Sequence, residues 1–258
     1  MSRIALVRRP SPRLDQGLVT HIERSTVDIP LAMAQWEGYV VALHGAGWET
    51  IEVDPSPDSP DSHFVEDTIV VFGDVAVIAR PGAVSRLPET VNAEKAVAAL
   101  GYTIRRIESP GTLDGGDVLK IDDTVYVGRG GRTNAEGVRQ LRAVLAPLGA
   151  RVVAVPLTKA LHLKTAITAL PDGTVIGWPD AVDDSSFFPH FLAVPEEPGA
   201  HVVVLDGERL LMAADAPRTA ELLADLGYTP VTVDISEFEK MEGCVTCLSV
   251  RLRNLPGG

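Results

Sequence analysis

The 258-residue sequence predicts an α/β fold, a fivefold pseudosymmetric α/β-propeller of ββαβ units whose fifth unit is closed by the two termini. Three observations lead there. Short apolar runs recur in pairs around turns rich in Gly and Asp. Most pairs are followed by a helical apolar face and then a further strand. The turns also repeat at near-constant spacing, 49 residues from Gly73 to Asp122 and 50 from Asp122 to Asp172. A repeat of this length suggests a radial array in which each unit buries its faces against its neighbours. An open α/β sheet is the alternative that the pattern alone leaves standing.

Each element follows from local pattern. Ile4-Ala5-Leu6-Val7-Arg8 reads as a strand with no hairpin partner close in sequence. Met33, Trp36, Val40 and Leu43 form an apolar helical face, with strand 49–53 after it. Segment 54–62 is rich in Pro, Asp and Ser, as a linker would be, but repeats flank it on both sides and residues 1–258 are expected to form one domain. The first complete hairpin is 69–72 and 75–78 around Gly73-Asp74, followed by helix 93–100 and strand 103–107. The second is 118–121 and 124–127 around Asp122-Asp123. Its helix carries Val138, Leu141, Leu145 and Leu148, with Thr133 and Glu136 spaced as a capping box, and strand 151–155 follows. The third pairs 166–170 with 175–176 around Asp172-Gly173, but segment 178–198, rich in Pro and Asp, shows no helix. The fourth pairs 202–205 with 209–212, then helix 218–226 and strand 230–234. Strand 248–253 is left to pair with 4–8 and complete the fifth unit.

Composition narrows the function. A net charge of −12 repels a phosphate backbone, which argues against nucleic acid, and it suits a cationic small molecule. The four apolar residues at 4–7 are too few for a signal-peptide core, and no run approaches the ~20 apolar residues of a membrane span. Two cysteines cannot build a disulfide framework. A cytoplasmic protein with no membrane association is expected; the sequence carries no signal for oligomeric state.

The residues suited to chemistry are few. Cys247 lies in Gly243-Cys244-Val245-Thr246-Cys247, His162 in Leu161-His162-Leu163-Lys164-Thr165, and acids cluster at Glu66-Asp67 and Asp114-Gly115-Gly116-Asp117. A lone cysteine is more often a small buried hydrophobe than a nucleophile. Cys244-x-x-Cys247 also fits a redox pair or half a zinc site, yet the chain holds too few soft ligands for zinc, and 248–252 reads as a strand rather than the opening helix of a redox motif. A disulfide requires the backbone to turn between the two cysteines, whereas an extended strand would hold them apart. The acid pairs stand before strands of neighbouring repeats, so they converge on the ring centre, where a planar cation such as guanidinium finds paired oxygens.

Six segments, in order, then resemble the dimethylarginine dimethylaminohydrolases, guanidine-modifying enzymes of the pentein superfamily. They are Pro60-Asp61-Ser62-His63-Phe64-Val65-Glu66-Asp67, Arg80-Pro81-Gly82-Ala83-Val84-Ser85-Arg86, Pro110-Gly111-Thr112-Leu113-Asp114-Gly115-Gly116-Asp117, Arg132-Thr133-Asn134, Leu161-His162-Leu163-Lys164-Thr165 and Val245-Thr246-Cys247. The likeness runs from Leu6 to about Val250 and implies a fivefold α/β-propeller. It implies hydrolysis of N-omega-methylated arginines to citrulline and an alkylamine, with no metal and no cofactor. Cys247 would be the nucleophile, His162 the acid/base and Asp114 the carboxylate that orients it. Glu66 and Asp67 match the guanidinium-binding acids, Arg86 and Arg132 the groups that hold the substrate carboxylate, and Asp61 the group at the α-amino end. Leu18, in loop 15–20, and Met241 match backbone contacts. The chain departs from the pattern at His63, read as a surface-loop histidine, at Leu87 in place of a second arginine, and at Cys244 in place of glycine. The rival readings are a deiminase acting on arginine or agmatine, for which the added helical domain or the cysteine motif is missing, and a non-catalytic propeller or redox-binding protein, in which no histidine stands near Cys247.

Overall fold

The computed structural model of the chain describes residues 3–253 and 255–257. Fifteen strands among the described residues form five sheets of three. The chain opens with β1 (Ile4–Val7), α1 (Ile29–Gly45) and β2 (Glu49–Glu52), β1 and β2 lying parallel. The hairpin β3 (Ile69–Phe72) and β4 (Val75–Ile78) leads through α2 (Thr90–Ala99) to β5 (Thr103–Arg106), parallel to β4. The same order recurs in β6 (Val118–Ile121), β7 (Thr124–Arg129), α3 (Ala135–Leu145) and β8 (Arg151–Pro156). In the next unit β9 (Ile167–Ala169), β10 (Val175–Gly177) and β11 (Phe191–Ala193) make the sheet. Then come β12 (Val202–Val204), β13 (Arg209–Ala213), α4 (Pro217–Asp225) and β14 (Thr229–Val233). After α5 (Ser236–Glu239), β15 (Ser249–Leu252) pairs antiparallel with β1, Ile4 opposite Leu252 and Val7 opposite Ser249. The first sheet is therefore β15-β1-β2, assembled from both ends of the chain as the sequence suggested.

Hydrophobic burial turns the five sheets into a closed ring. Each of five apolar clusters is shared between two units. Ala5 and Val7 of β1 pack with Val203 of β12 and Leu211 of β13. Ile4 and Leu6 pack with Ile69 and Ala76, Val70 and Val77 with Val118 and Val125, Leu119 and Tyr126 with Ile167 and Val175, and Leu170 and Ile176 with Val202 and Leu210. No unit owns a core of its own, so the apolar driving force acts between neighbours and closes the circuit. A cavity of about 750 Å³ runs between β3, β6, β9, β12 and β15, so these five strands face the axis.

Local details depart from the sequence reading in several places. Phe72 pairs with Val75 and Ile121 with Thr124, which confirms two-residue turns, and the first turn residue takes positive φ in both, Gly73 at 53° and Asp122 at 49°. The turns at 170–174 and 205–209 are longer, closed by Leu170 N–H to Thr174 C=O and Leu205 N–H to Arg209 C=O. The cap of α3 is Asn134, whose side chain accepts the Gly137 N–H at 2.8 Å. Thr133 is unavailable for capping because its hydroxyl donates to Asp117, and Glu136 is drawn to Arg139. The buried face of α3 is Gly137, Val138, Leu141 and Leu145; Leu148 lies past its end and is exposed. The face of α1 is rotated from the expected one: Ala32, Gln35, Trp36, Tyr39 and Leu43 are buried, whereas Met33 and Val40 are only half-buried. Segment 178–198 holds two single 3-10 turns, Pro179–Ala181 and Ser185–Phe187, in place of a helix.

Candidate active site

The predicted residues meet at one end of the ring. Leu18, Asp61, Asp67, Arg86, Arg132, His162, Met241 and Cys247 all line a single pocket. Two short turns immediately before inner strands supply most of its chemistry, the 3-10 turn Val65–Thr68 ahead of β3 and Gly115–Asp117 ahead of β6. These turns touch, and only glycine permits it. A Cβ on Gly115 would lie 2.0 Å from the Glu66 carbonyl oxygen, and one on Gly116 would lie 2.6 Å from Asp67 Oδ1 and 2.8 Å from His162 Nδ1. The Gly116 N–H instead donates to Asp67 Oδ1 at 2.8 Å.

Asp114 and His162 are joined directly. His162 Nε2 is 3.0 Å from Asp114 Oδ2, and Asp114 Oδ1 accepts the Gly82 N–H at 2.7 Å. The other ring nitrogen, Nδ1, lies 3.8 Å from Asp67 Oδ1. Burial alone would lower the His162 pKa, but Asp67, the Asp114 hydrogen bond and Asp117 outweigh it and raise the value to about 9. The imidazolium is thus the resting form at neutral pH. Asp117, which the sequence reading left without a role, fixes the same region: Oδ1 accepts the Leu163 N–H at 3.0 Å and Oδ2 the Thr133 hydroxyl at 2.5 Å. Burial, above all, raises its pKa to about 7.

Arg86 is 4% exposed and almost fully engaged. Nε and Nη2 donate to the Glu89 carboxylate, Nη1 to Asp67 Oδ2 at 2.6 Å, and Nη2 also approaches the Asp61 and Phe64 carbonyls. Burial would push the Asp67 carboxyl up, but His162 and Arg86 hold it well below the usual carboxylate range. Arg132 is different: among the described residues its one ion pair is a loose 3.8 Å approach to Asp114 Oδ2, and its guanidinium stands in the pocket wall. Glu66 is not in that wall. Its Oε1 accepts from Lys164 at 2.6 Å and Arg251 at 2.8 Å, its N–H donates to the Cys247 carbonyl, and its buried Oε2 has no partner among the described residues.

Cys247 precedes β15 in a turn rather than an extended strand, with its N–H donating to the Cys244 carbonyl at 3.1 Å. That turn brings the two sulfurs to 3.3 Å, both buried as free thiols. Of the two backbones the sequence left open, the turn is the one found, and it brings the sulfurs into contact. The pair shares one hydrogen bond and accommodates one negative charge easily but not two. Donation from Cys247 pulls the Cys244 thiol down to about 5, and that same bond, with burial and the charges of Glu66 and Asp67, pushes Cys247 well above the ordinary thiol value. His63 is also corrected. It is fully buried, 3.9 Å from the Phe64 ring and 5.2 Å from Phe238 between centroids, and burial pulls its pKa down to about 3. An imidazole in an aromatic sleeve is neutral packing, not a surface histidine.

Asp67, Asp114 and His162 present ligand atoms within 4.8 Å of one another, the spacing at which a divalent ion could bridge them. Their oxygens and ring nitrogen already serve Arg86, Gly116, Gly82 and each other.

A lid covers the pocket. The Leu18 N–H donates to both Asp61 oxygens, at 3.1 and 3.2 Å, and Met241 packs beside Gly17. Glu242, which lines the pocket and was not singled out in the sequence, latches the lid from the far side. Its Oε1 accepts the N–H groups of Thr20, His21 and Ile22, and its Oε2 the Thr20 hydroxyl. Nothing local in the sequence marks this contact, which spans more than 200 residues. The space left among the pocket side chains is about 20 Å³, room for about one water molecule. An amino-acid-sized ligand therefore requires the lid to move.

A five-unit α/β ring with a cysteine, a histidine and acids converging on one pocket defines the arginine deiminase class of guanidine-modifying proteins, and a model of the arginine deiminase family matches residues 49–213. Within that class the chain belongs to the dimethylarginine dimethylaminohydrolase family. It is 69% identical to the N(G),N(G)-dimethylarginine dimethylaminohydrolase of Streptomyces coelicolor over 98% of both chains. It is 36% identical to the Pseudomonas aeruginosa protein of the same name, over 97% of this chain and all of that one. A crystal structure of the Pseudomonas aeruginosa enzyme, a cysteine-to-serine mutant complexed with citrulline, superposes with a TM-score of 0.91 over 98% of this chain and all of that one. The N-terminal domain of ArgZ, a cyanobacterial arginine dihydrolase, shares the fold at a TM-score of 0.87 and 20% identity.

Two outcomes follow from this geometry. Glu242→Ala removes the acceptor for three lid N–H groups, so hydrogen exchange at residues 20–22 should quicken and KM should rise by roughly 10-fold; unchanged exchange would show that the latch does not hold the lid. The second concerns pH. Because folding raises the His162 pKa from 6.5 to about 9, its contribution to stability is complete below pH 6.5 and is lost as pH rises through 9. The stability difference between the native chain and His162→Gln, read from urea unfolding, should shrink over that window. A pH-independent difference would mean that the ring is neutral.

Proposed function

We infer that this chain hydrolyses N-omega-methylated arginines, asymmetric dimethylarginine and monomethylarginine, to citrulline plus dimethylamine or methylamine. The observation that carries the reading is the convergence of Cys247, the Asp114-bound His162 and Asp67 on one lidded pocket, in a chain 69% identical to a dimethylarginine dimethylaminohydrolase.

The residues divide the work by charge. Asp67 accepts guanidinium N–H groups and holds the cation against Cys247; Glu66, outside the pocket wall, supports the site through its N–H bond to the Cys247 carbonyl. The Cys244 bond, burial and the nearby carboxylates keep the Cys247 thiol protonated; the substrate cation offsets that negative charge, so on binding the thiol releases its proton to solvent and the thiolate forms. That sulfur adds to the central guanidinium carbon. The imidazolium of His162 gives its proton to the alkylated nitrogen, the C–N bond breaks, the amine leaves, and an S-alkylthiouronium remains on Cys247. Neutral His162 then takes a proton from water, whose oxygen adds to the same carbon. Collapse breaks the C–S bond, the added hydroxyl returns its proton to the departing sulfur, and the ureido group of citrulline is left. At the other end, Arg132 is free to pair with the α-carboxylate, Arg86 adds a fixed positive charge, and Asp61, tied to the Leu18 backbone, faces the α-amino group.

Product analysis tests the reading. Incubation with asymmetric dimethylarginine should release citrulline and dimethylamine in equal amounts from the native chain and from Cys244→Ser, and none from Cys247→Ser. Ammonia from arginine with no dimethylamine would identify a deiminase instead.

The arginines separate in a second experiment. Arg132→Ala should raise KM for methylated arginine by ~10- to 150-fold and leave KM for a methylated agmatine, which lacks the carboxylate, nearly unchanged. Arg86→Ala should act through folding, because it strands the buried Asp67 and Glu89 carboxylates at a cost of roughly 3–5 kcal/mol. Equal KM penalties on both substrates for Arg132→Ala would make that residue structural.

A further inference from the structure

The axial cavity of about 750 Å³ is distinct from the pocket that holds Cys247, and its walls carry an unusual charge pattern. Five cationic side chains line it, Arg3, Lys120, Lys164, Arg251 and Arg253, in a chain whose net charge is −12. Lys164 and Arg251 share one carboxylate oxygen, Glu66 Oε1. The other three have no carboxylate partner among the described residues. Lys120 Nζ donates to the Val71 carbonyl at 2.6 Å, Arg253 Nη2 to Val204 at 2.9 Å, and Arg3 Nη1 to Leu205 at 3.3 Å. The remaining wall acids, Asp122, Asp172 and Asp206, sit on hairpin turns at the mouth, and Asp206 is held by Arg209.

We propose that this cavity is a binding site for a multiply charged oxyanion, a phosphate group being the chemistry that matches it. Arginine and lysine donors approach from β15, β6 and the chain before β1, so a tetrahedral anion on the axis meets donors from several sides at once. Main-chain carbonyls are weak partners for three cations gathered around one cavity, and an anion supplies the missing countercharge. The cations strain against one another in the way this requires. Burial first, and then Lys164, Arg251 and Arg253, lowers the Lys120 pKa to about 7; burial with Arg251 and Arg3 lowers that of Arg253 to about 10. Lys120 and Arg253 are solvent-exposed where they line the cavity, so an ion arriving from solution meets them directly. The volume falls within the range of small-molecule sites and admits free phosphate or a phosphate carried on a small metabolite. Lys164, Glu66 and Gly115 form the wall nearest the pocket described above, so this second site adjoins the first without using its reacting groups.

Titration calorimetry in a phosphate-free, low-salt buffer tests this. Inorganic phosphate should bind the native chain saturably and raise its Tm, sodium chloride at equal ionic strength should not, and glycerol 3-phosphate distinguishes a carried phosphate group from the free ion. Lys120→Gln should weaken binding by ~10-fold or more while turnover of methylated arginine is retained. Arg253→Gln should act likewise; because Arg253 also lies over the Trp48 ring at 5.6 Å, Lys120→Gln is the variant that decides if Arg253→Gln fails to fold. No binding of either ligand at 10 mM, as an order-of-magnitude ceiling for a built site (about 3 kcal/mol), would overturn the proposal. So would a Tm rise matched by chloride, or an affinity untouched by Lys120→Gln.

Discussion

Arg86 is the group on which the arrangement of the catalytic end depends. A guanidinium 4% exposed is tolerable only with its donors satisfied, and here satisfaction ties three neighbouring groups together at once. Glu89 anchors it to the start of α2, the Asp61 and Phe64 carbonyls tie it to the loop beneath the lid, and Asp67 passes its charge toward the imidazole. Asp67 then accepts from Gly116, which carries the constraint into the Asp114 turn and so to His162. A chain of charge-assisted bonds crosses two units of the ring with no flexible link. His162 is positioned by neighbours, Asp114 and Asp67, that belong to different units from its own.

Cys247 reaches this network from the opposite direction. Its turn is secured by the bond to the Cys244 carbonyl and by Glu66 N–H, and Tyr39 supports the approach to β15 by donating to the Val245 carbonyl at 2.9 Å. The negative charge of Glu66 and Asp67 adds to the Cys244 bond and burial in disfavouring a Cys247 thiolate. The 3.3 Å contact with Cys244 adds a second sulfur over which that charge is shared.

Much of this was legible in the sequence, for identifiable reasons. Gly73-Asp74 and Asp122-Asp123 mark two-residue turns because the first position needs positive φ, and these two turns set the unit length. The pairing of β1 with β15 followed from two strands left without partners. What sequence could not reveal depends on distant competition. Thr133 has the spacing of a cap, but the buried Asp117 takes its hydroxyl. His63 follows Pro60-Asp61-Ser62, which reads as a surface loop, yet in space it packs between the rings of Phe64 and Phe238. Glu242 and the lid it holds are far apart along the chain, and the Cys244 turn has no glycine or proline between its cysteines to announce it.

The closure between β15 and β1 has a consequence for the order of events on the ribosome. Four of the five units are contiguous, so each can gather its strands from neighbouring sequence as it is synthesised. The remaining sheet waits for the last strand to emerge, because Ile4 pairs with Leu252. Cys247 lies just ahead of that strand and arrives together with the piece that closes the circle. A nascent chain can thus gather His162 and its acids before Cys247 joins them, and the pocket is whole only once the ring is.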